Sequence, residues 1–291
     1  MVTYIPDINV LTKAIKSIIN QVDNLIVVDN TPNSILFDLK ELGCHGSNLE
    51  VIFLHKNMGI ATAQNIGIKK AIEDGCDFIL LSDQDTYYPD NYVLTLINCF
   101  NSAPDNSKIA ALAPRFLDLN LQGASQGFVI FVNFFTKRIF PISGSHIITQ
   151  AIASGLLIPV SALKTIGLMT EELFIDWVDL EWCWRANSYG YYILGCADIA
   201  IQHKLGDSSK KVGSNTYPIR SAIRHYYIVR NSIHLAQRCN CINTSMRINL
   251  LFKAVLYLIG FSLLGKPRLK HFYFSIKGLY HGITNKLGEY K

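Results

Sequence analysis

The sequence predicts an α/β fold with a mainly parallel central sheet, an antiparallel extension and C-terminal helices. Near-continuous β-rich runs occur at 25–30, 51–57 and 77–85, as expected of strands that are buried on both faces. Apolar residues recur at helical spacing over 8–20 and 60–72. Strands and helices that alternate in this way indicate βαβ crossovers, and therefore a parallel sheet.

The rest of the chain predicts the extension and the helices. Residues 109–160 contain three apolar strand patterns without good helices between them, which indicates an antiparallel addition to the sheet. A short helix is predicted at 160–166, and helical periodicity dominates from residue 217 onward. One face of that region carries polar and basic residues three or four positions apart: Arg220, Arg224, Tyr227, Asn231, His234 and Arg238.

The apolar run near 249–268 has two possible interpretations. It contains roughly sixteen apolar positions interrupted by Lys253, fewer than the ~20 that a membrane-spanning helix needs. We interpret it as an amphipathic helix that lies in the membrane plane, or as an ordinary packing helix.

Charge is distributed unevenly along the chain. Residues 1–202 carry 12 Lys and Arg against 20 Asp and Glu, whereas residues 203–291 carry 15 against 2. A basic region next to apolar runs favours contact with an anionic membrane surface, although a solvated basic surface would give the same counts. We therefore predict a main domain at 1–203 and a basic, helical, membrane-associating region at 204–291.

The cysteines and the N-terminus bear on the cellular compartment. The seven cysteines are odd in number, scattered and without the spacing of metal sites, which is typical of a reduced compartment. The start, "MVTYIPDINV", has no basic segment followed by an apolar stretch, so no secretory signal is predicted. We expect a cytoplasmic protein.

Polar residues follow the predicted strands. Asp29 follows the second strand, Asn57 the third, and Asp83 and Asp85 the fourth. Ligands of open α/β sheets bind outside the carboxyl ends of the strands, so these residues are expected to converge on one crevice. A D-x-D pair at that position suits a hard divalent cation that also binds substrate phosphates. A turn in which the aspartates make local hydrogen bonds is the simpler alternative.

Two other enzyme classes fit the sequence less well. A phosphatase of the haloacid-dehalogenase type would have its D-x-D on the first strand, with Thr or Val two residues beyond the second Asp, where this chain has Tyr87. A dinucleotide-dependent dehydrogenase needs a G-x-G-x-x-G turn after its first strand, and "YIPDIN" contains no glycine. A metal would have to neutralise substrate phosphates instead, which agrees with the D-x-D pair.

The segment "FIDWVDLEWCWR" holds all three tryptophans and three carboxylates. In a helix that starts near Val178, Asp179 and Glu181 point about 200° apart, so they cannot share one role. Trp177 and Trp184 lie seven residues apart on one face, where they would form an aromatic wall toward a sugar or toward the core.

Seven segments within residues 2–240 carry a family resemblance: "VTYIPD", "VVDN", "NMGIATAQNIGI", "LLSDQD", "FIDWVDLEWCWRANSYGY", "HKLGD" and "RHYYIVRN". In this order they resemble the inverting family 2 glycosyltransferases, and within them the bacterial rhamnosyltransferase branch. The resemblance implies a nucleotide-diphospho-sugar transferase fold of the GT-A type, with a nucleotide-binding half at 1–108 and an acceptor half at 109–203. It further implies transfer of L-rhamnose from dTDP-L-rhamnose to a lipid-linked oligosaccharide, as in O-antigen synthesis, on the cytoplasmic face of the inner membrane.

The same resemblance implies catalytic and metal-binding residues. Asp179 matches the catalytic base, although Val178 replaces the Glu of the family's Glu-Asp pair. Asp85 matches the last Asp of the D-x-D motif, which binds Mg²⁺ or Mn²⁺. His203 resembles a histidine that contacts the metal or the diphosphate, and a histidine that merely ends a strand is the alternative.

The remaining implied residues bind the donor or support the acceptor. Asp29 matches the base-binding Asp, where a carboxylate would accept the ring N–H of uracil or thymine, and Gln64 stands where many relatives have Arg, which puts a contact there in doubt. The acceptor or support residues are Trp177, Glu181 and Arg185. The full donor-binding set is Thr3, Asp29, Asn57, Gln64, Asp83 and Asp85.

Two alternatives to this function stay open. The same fold could use another nucleotide-sugar donor, or the chain could be a catalytically inactive module that binds a sugar or nucleotide. A glycosidase is disfavoured because it would need a second carboxylic acid across the scissile bond. No nucleic-acid partner is expected.

Overall fold

The computed structural model describes residues 1–34, 48–118, 124–203, 208–212 and 215–291, without the side chains of 118, 124, 203, 208–212 and 215–219. The strands are β1 Val2–Thr3, β2 Leu25–Asp29, β3 Leu49–Phe53, β4 Phe78–Leu81, β5 Ile109–Asp118, β6 Ala124–Ser125, β7 Phe128–Val132, β8 Phe135–Ile139, β9 Ser145–Ile148, β10 Leu156–Pro159, β11 Tyr192–His203, β12 Ser208–Val212 and β13 Asn215–Ile219. The helices are α1 Ile8–Ile18, α2 Ile60–Glu73, α3 Tyr92–Asn101, α4 Val160–Ile166, α5 Val178–Ser188, α6 Ala222–Arg238, α7 Thr244–Leu264 and α8 Arg268–Ile283.

The central sheet has the order β3-β2-β1-β4-β10-β5-β11-β9. β1, β2 and β3 pair in parallel, and a parallel bridge between Val2 and Asp83 joins β1 to the end of β4. β10 runs antiparallel between β4 and β5, whereas β11 pairs in parallel with β5 and antiparallel with the edge strand β9. The predicted fold class, with its antiparallel extension and C-terminal helices, is confirmed.

One predicted strand lies outside the central sheet. The pattern in "QGFVIFVNFF" forms the hairpin β7–β8, a separate two-stranded ribbon. A bridge between Val129 and Gln150, together with hydrogen bonds to Thr149, connects it to the segment that follows β9.

Helices cover both faces of the sheet. α1 begins at an Asp7 cap, whose carboxylate accepts from the N–H groups of Asn9 and Val10. Its buried stripe packs with α3 on one face of the sheet, and α2, α4 and α5 pack on the other. A fully buried leucine or isoleucine stabilises the fold by about 2 kcal/mol. Each helix layer buries several such side chains against the sheet, and this packing fixes the strands and their ends.

The C-terminal helices begin later and run longer than the sequence pattern indicated. Residues 215–219, expected to be helical from 217, pair with β12 instead, and Pro218 disfavours a helical conformation for the residue before it. α7 has 21 residues and is long and apolar enough to cross a membrane, with 17% of its most apolar stretch buried. We expected this apolar run to be too short to span a membrane. The length of α7 shows that this expectation was wrong.

The structure joins two pairs of cysteines as disulfides, Cys99 with Cys196 and Cys239 with Cys241. The scattered spacing of the cysteines did not predict these pairs. Cys99 and Cys196 are separated by 97 residues and meet because α3 packs against β11, a tertiary contact that sequence spacing does not reveal.

Candidate active site

Asp29, at the end of β2, is a buried carboxylate of which one oxygen accepts hydrogen bonds within the described residues. Asp29 Oδ1 accepts hydrogen bonds from Thr3 Oγ1 at 3.0 Å and from the Thr31 N–H at 3.1 Å. Asp29 Oδ2 is buried and has no hydrogen-bond partner among the described residues. A buried acceptor without a partner is costly, so this oxygen is suited to a donor group on a ligand, whereas Thr3 orients the carboxylate.

Asn57 and Gly59 build the turn that leads into α2. Asn57 Oδ1 accepts from Asn30 Nδ2 and from the Gly59 N–H, both at 3.0 Å. Gly59 has φ +83°, and a Cβ there would lie 2.6 Å from the Phe174 side chain and carbonyl. The glycine therefore makes room for Phe174. Gln64 is buried in α2, and its Oε1 has no partner in the described parts of the chain.

The D-x-D pair lies directly beyond β4, as predicted. Asp83 and Asp85 are half-buried, and Gln84 between them accepts the Tyr4 N–H through Oε1 at 2.7 Å. Burial lowers the pKa of the Met1 amine to about 6, against the opposing effect of the Asp83 charge. Hard carboxylate oxygens at a strand end are the ligand type that Mg²⁺ and Mn²⁺ prefer, so Asp83 and Asp85 fit a divalent metal.

The end of β11 approaches the same loop. Gln202 forms an antiparallel bridge with Tyr87, two residues beyond Asp85. The backbone of His203 therefore lies beside the D-x-D loop. The His203 side chain falls outside the described residues, and its metal contact stays a prediction.

Asp179 occupies the first turn of α5 and is half-buried. Its Oδ2 accepts the Ala153 N–H at 3.0 Å, and its Oδ1 accepts the Leu180 N–H at 2.9 Å. The pKa of Asp179 is raised from 3.8 to about 6, mainly by burial and also by the charges of Asp83 and Asp176, against the lowering effect of these two hydrogen bonds. At neutral pH the carboxylate is ionised yet more basic than an exposed one, which suits a general base.

Glu181 and Arg185 form a structural pair within α5. The Glu181 carboxylate is buried and accepts from Arg185 Nε at 2.9 Å and from Thr170 Oγ1 at 2.8 Å. The Arg185 guanidinium also donates to the carbonyls of Ile166 and Leu168, both at 2.8 Å. Glu181 and Arg185 were predicted either to contact the acceptor or to support the site. These contacts favour the supporting role, because they connect α5 to the end of α4.

The tryptophans of the segment face the core. Trp177 and Trp184 are buried with ring centroids 6.0 Å apart, and Trp177 Nε1 donates to the Ile228 carbonyl at 3.0 Å. As predicted, the seven-residue spacing brings the two rings together. Of the two predicted directions, toward a sugar or toward the core, the rings point toward the core. Trp177 therefore supports the site through packing.

Some residues of the site were not found from the sequence. The loop before β10 supplies the Ala153 N–H to Asp179, and Ser154 Oγ lies 2.5 Å from Thr86 Oγ1 in the D-x-D loop. Gly155 in that loop has φ +76° and accepts from Tyr92 Oη at 2.5 Å. The only signal for this loop in the sequence is the run of small residues "ASG" (153–155) before a strand.

Comparisons with known proteins identify the family. The model of the family "Glycosyl transferase family 2" matches residues 1–166. The chain is 34% identical over 240 residues to the dTDP-rhamnosyl transferase RfbF of Shigella flexneri, covering 82% of this chain and 79% of that protein.

Solved structures share the fold at low sequence identity. TarS 1-349 of S. aureus in complex with UDP-GlcNAc superposes with a TM-score of 0.59 at 17% identity, over 97% of this chain and 80% of that chain. GalNAc-T7 with UDP, GalNAc and Mn²⁺ gives a TM-score of 0.57 at 12% identity over 98% of this chain, which spans 56% of the longer GalNAc-T7 chain. The chain described here belongs to glycosyl transferase family 2 and is a glycosyltransferase with the GT-A fold.

Proposed function

We propose that the protein is an inverting, metal-dependent rhamnosyltransferase that moves L-rhamnose from dTDP-L-rhamnose to a lipid-linked oligosaccharide, as in O-antigen or other cell-surface polysaccharide synthesis. The observation that carries the proposal is Asp179, a half-buried carboxylate in the first turn of α5 whose two oxygens are oriented by backbone N–H groups. The similarity to a dTDP-rhamnosyl transferase supports the choice of sugar.

The nucleotide base would be read by Asp29. Its unpaired Oδ2 would accept the N3–H of a pyrimidine ring while Thr3 keeps Oδ1 fixed. Uracil and thymine both present this N–H and cytosine does not, so the contact would select uracil or thymine. The similarity to a dTDP-rhamnosyl transferase supports thymine as the base.

Asp83 and Asp85 would hold a divalent cation, Mg²⁺ or Mn²⁺, at the end of β4. When bound, such an ion acts as a Lewis acid that stabilises the charge of the departing nucleotide diphosphate. The Mn²⁺ present with GalNAc-T7, which shares this fold, supports the assignment.

Asp179 would act as the general base. Its carboxylate accepts the proton of the acceptor hydroxyl while that oxygen attacks C1 of the sugar from the face opposite the diphosphate. The C1–O bond to the diphosphate breaks as the new glycosidic bond forms, so the anomeric configuration inverts. The N–H groups of Ala153 and Leu180 occupy one lone pair on each Asp179 oxygen, which leaves others for the proton.

The acceptor would be presented at a membrane, where α7 and α8 would lie on its surface. Both helices expose large apolar side chains, and Lys266 between them and Arg268 and Lys270 in the first turn of α8 are exposed. Lys and Arg gain about 1 kcal/mol each near an anionic leaflet. The exposed apolar residues are Ile248, Leu251, Phe252, Val255, Leu256, Ile259, Leu263, Leu269, Phe272, Tyr273, Ile276, Tyr280 and Ile283.

We place this peripheral association on the cytoplasmic face of the inner membrane. Disulfides are rare in the cytoplasm, so this location requires the Cys99–Cys196 and Cys239–Cys241 pairs to be thiols in the cell. Alkylation of free thiols during lysis, followed by mass spectrometry, should label all four residues. Stable disulfides in that experiment would contradict the location.

A donor panel tests the proposed reaction. The purified protein is incubated with dTDP-, UDP- and GDP-sugars and lipid-linked saccharide acceptors, and the products are weighed by mass spectrometry. We expect a mass gain of one deoxyhexose from dTDP-L-rhamnose only. Transfer from another nucleotide sugar would replace the donor, and no transfer or nucleotide release with any pair would favour an inactive binding module.

A further inference from the structure

The loop of residues 172–177, which leads into α5, has a costly backbone conformation. Phe174, Asp176 and Trp177 all have positive φ, at 65°, 63° and 70°. A residue with a side chain pays roughly 1–2 kcal/mol to adopt a left-handed conformation. Three such residues within four positions persist only where the surroundings fix them.

Side chains of α6 provide that support. Asn231 is fully buried, and its Nδ2 donates to the carbonyls of Leu173 and Ile175 at 2.9 Å and of Asp176 at 3.0 Å. The neighbouring Arg230, also fully buried, donates through Nη2 to the Leu173 carbonyl at 2.8 Å. Three carbonyl oxygens of the loop therefore accept hydrogen bonds from side chains of one helix.

Two arginines bind the side chain of Asp176 in the same loop. Asp176 Oδ1 accepts from Arg220 Nη1 and Arg224 Nη2, both at 2.6 Å, and its Oδ2 accepts from Arg224 Nε at 3.2 Å. The Asp176 side chain is only 8% exposed. Breaking one partner of such a buried charge pair is costly because it leaves the other charge unpaired.

The loop also contacts the donor half of the site. The Ile60 N–H donates to the Phe174 carbonyl at 2.8 Å, and Gly59 packs against the Phe174 ring. The loop thus connects α6 and the start of α2 to Val178, the first residue of α5, with Asp179 directly after it.

We propose that Arg224, Arg230 and Asn231 are positioning residues, which fix the loop 172–177 and thereby place the Asp179 carboxylate against the acceptor hydroxyl. This gives a role to "RHYYIVRN" (224–231), which contains all three residues. The inference rests on Asp179 acting as the base. A displacement of about 1 Å at a reacting group can lower turnover about 100-fold, so a looser loop should reduce kcat without abolishing donor binding.

Asn231→Ala tests the proposal, with Asn249→Ala as a matched control. Asn249 is also a buried asparagine of the C-terminal helices, but its Nδ2 donates to the backbone carbonyl of Phe134, which lies outside the loop. We expect kcat to fall about 10- to 100-fold in Asn231→Ala, with KM for the donor and the Kd of dTDP within about threefold of wild type. The control should keep kcat. Equal kcat in the two variants would overturn the proposal.

A second pair of variants decides the matter if Asn231→Ala does not fold. Arg224→Lys keeps a cation beside Asp176 and should retain most of kcat, whereas Arg224→Ala should lose it at unchanged dTDP affinity. Equal loss in both variants, or loss of dTDP binding alone, would contradict a positioning role. All assays use the nucleotide sugar that the wild type turns over, so a wrong donor assignment would not be mistaken for failure here. Normal turnover by Asp179→Asn would instead refute the base itself.

Discussion

Asp179 and Glu181, two residues apart in α5, face opposite environments. Asp179 accepts the N–H of Ala153 in the loop before β10, whereas Glu181 is buried in an ion pair with Arg185, with Arg185 Nε 2.9 Å from Glu181 Oε1. The helical twist separates them by about 200°. The Glu181 carboxylate therefore holds the helix to its neighbour, whereas the Asp179 carboxylate faces the loop before β10.

The acid side of the pH–rate profile should report Asp179. Burial raises its pKa to about 6, aided by the charges of Asp83 and Asp176, the latter paired with Arg220 and Arg224. A base must be ionised, so kcat should fall about tenfold per pH unit below 6. The folded-state pKa lies above the unfolded value of 3.8, so the fold favours the protonated form and this stabilisation is lost as pH rises through 6. A flat kcat from pH 8 to pH 5 would contradict the assignment.

Asp29→Asn should weaken binding of the nucleotide. The variant loses the charged acceptor that the buried Oδ2 provides, and a hydrogen bond to a charged group is worth about 1.5–3 kcal/mol. Calorimetry with dTDP should show a Kd raised about 10- to 100-fold. Methylation of the thymine N3 removes the same hydrogen bond from the ligand, so wild type should bind N3-methyl-dTDP as weakly as Asp29→Asn binds dTDP. Tight binding of the methylated ligand would exclude this contact.

Removal of the divalent cation should stop transfer. EDTA should abolish activity, added Mn²⁺ should restore it, and Asp85→Ala should lower activity at least 100-fold because the D-x-D pair loses a ligand oxygen. Asp90→Ala, at an exposed carboxylate five residues further on, is the control and should behave as wild type. Full turnover in EDTA would remove Asp83 and Asp85 from a metal-binding role.

Substitutions on the exposed face of α7 should release the protein from membranes. Phe252 and Leu256 are 57% and 50% exposed, and Leu94 on α3, at 57%, is a matched apolar position away from the helix. Phe252→Glu with Leu256→Glu should abolish flotation with anionic vesicles at low salt, whereas Leu94→Glu should float like wild type. Equal flotation of both proteins would contradict the membrane role.

Point substitutions are preferable to truncation for that test. The C-terminal tail contacts α6, since Arg230 Nη1 donates to the Gly288 carbonyl and the Tyr290 N–H donates to Tyr227 Oη. Deleting the last helices would therefore also disturb the loop that leads to Asp179.

The strand ends could be predicted because local patterns determine them. A buried strand must end where its apolar run ends, and parallel strands bring those ends to one edge, which placed Asp29, Asp83 and Asp85 correctly at that edge. The opposite directions of Asp179 and Glu181 followed from the helical repeat, whereas the choice of Asp179 as the base came from the family resemblance and stays a prediction.

Other features depended on tertiary contacts that no local pattern contains. Heptad spacing placed Trp177 and Trp184 on one face, but only packing decides that this face is the core. The hydrogen bond from Ala153 to Asp179 spans 26 residues, and the contacts of Asn231 with the loop span more than 50. None of the residues with positive φ before α5 is a glycine, so the sequence gives no sign of this backbone conformation.

The most direct test of the account is turnover by Asp179→Asn, because that change removes the proton acceptor and preserves shape. We predict that kcat falls at least 100-fold while the Kd of dTDP stays within about threefold, since a general base contributes about 10²- to 10⁴-fold to a reaction. Asp74→Asn, at a carboxylate in a surface ion pair with Lys70, should keep wild-type kcat. Near-normal turnover by Asp179→Asn would contradict its role as the base.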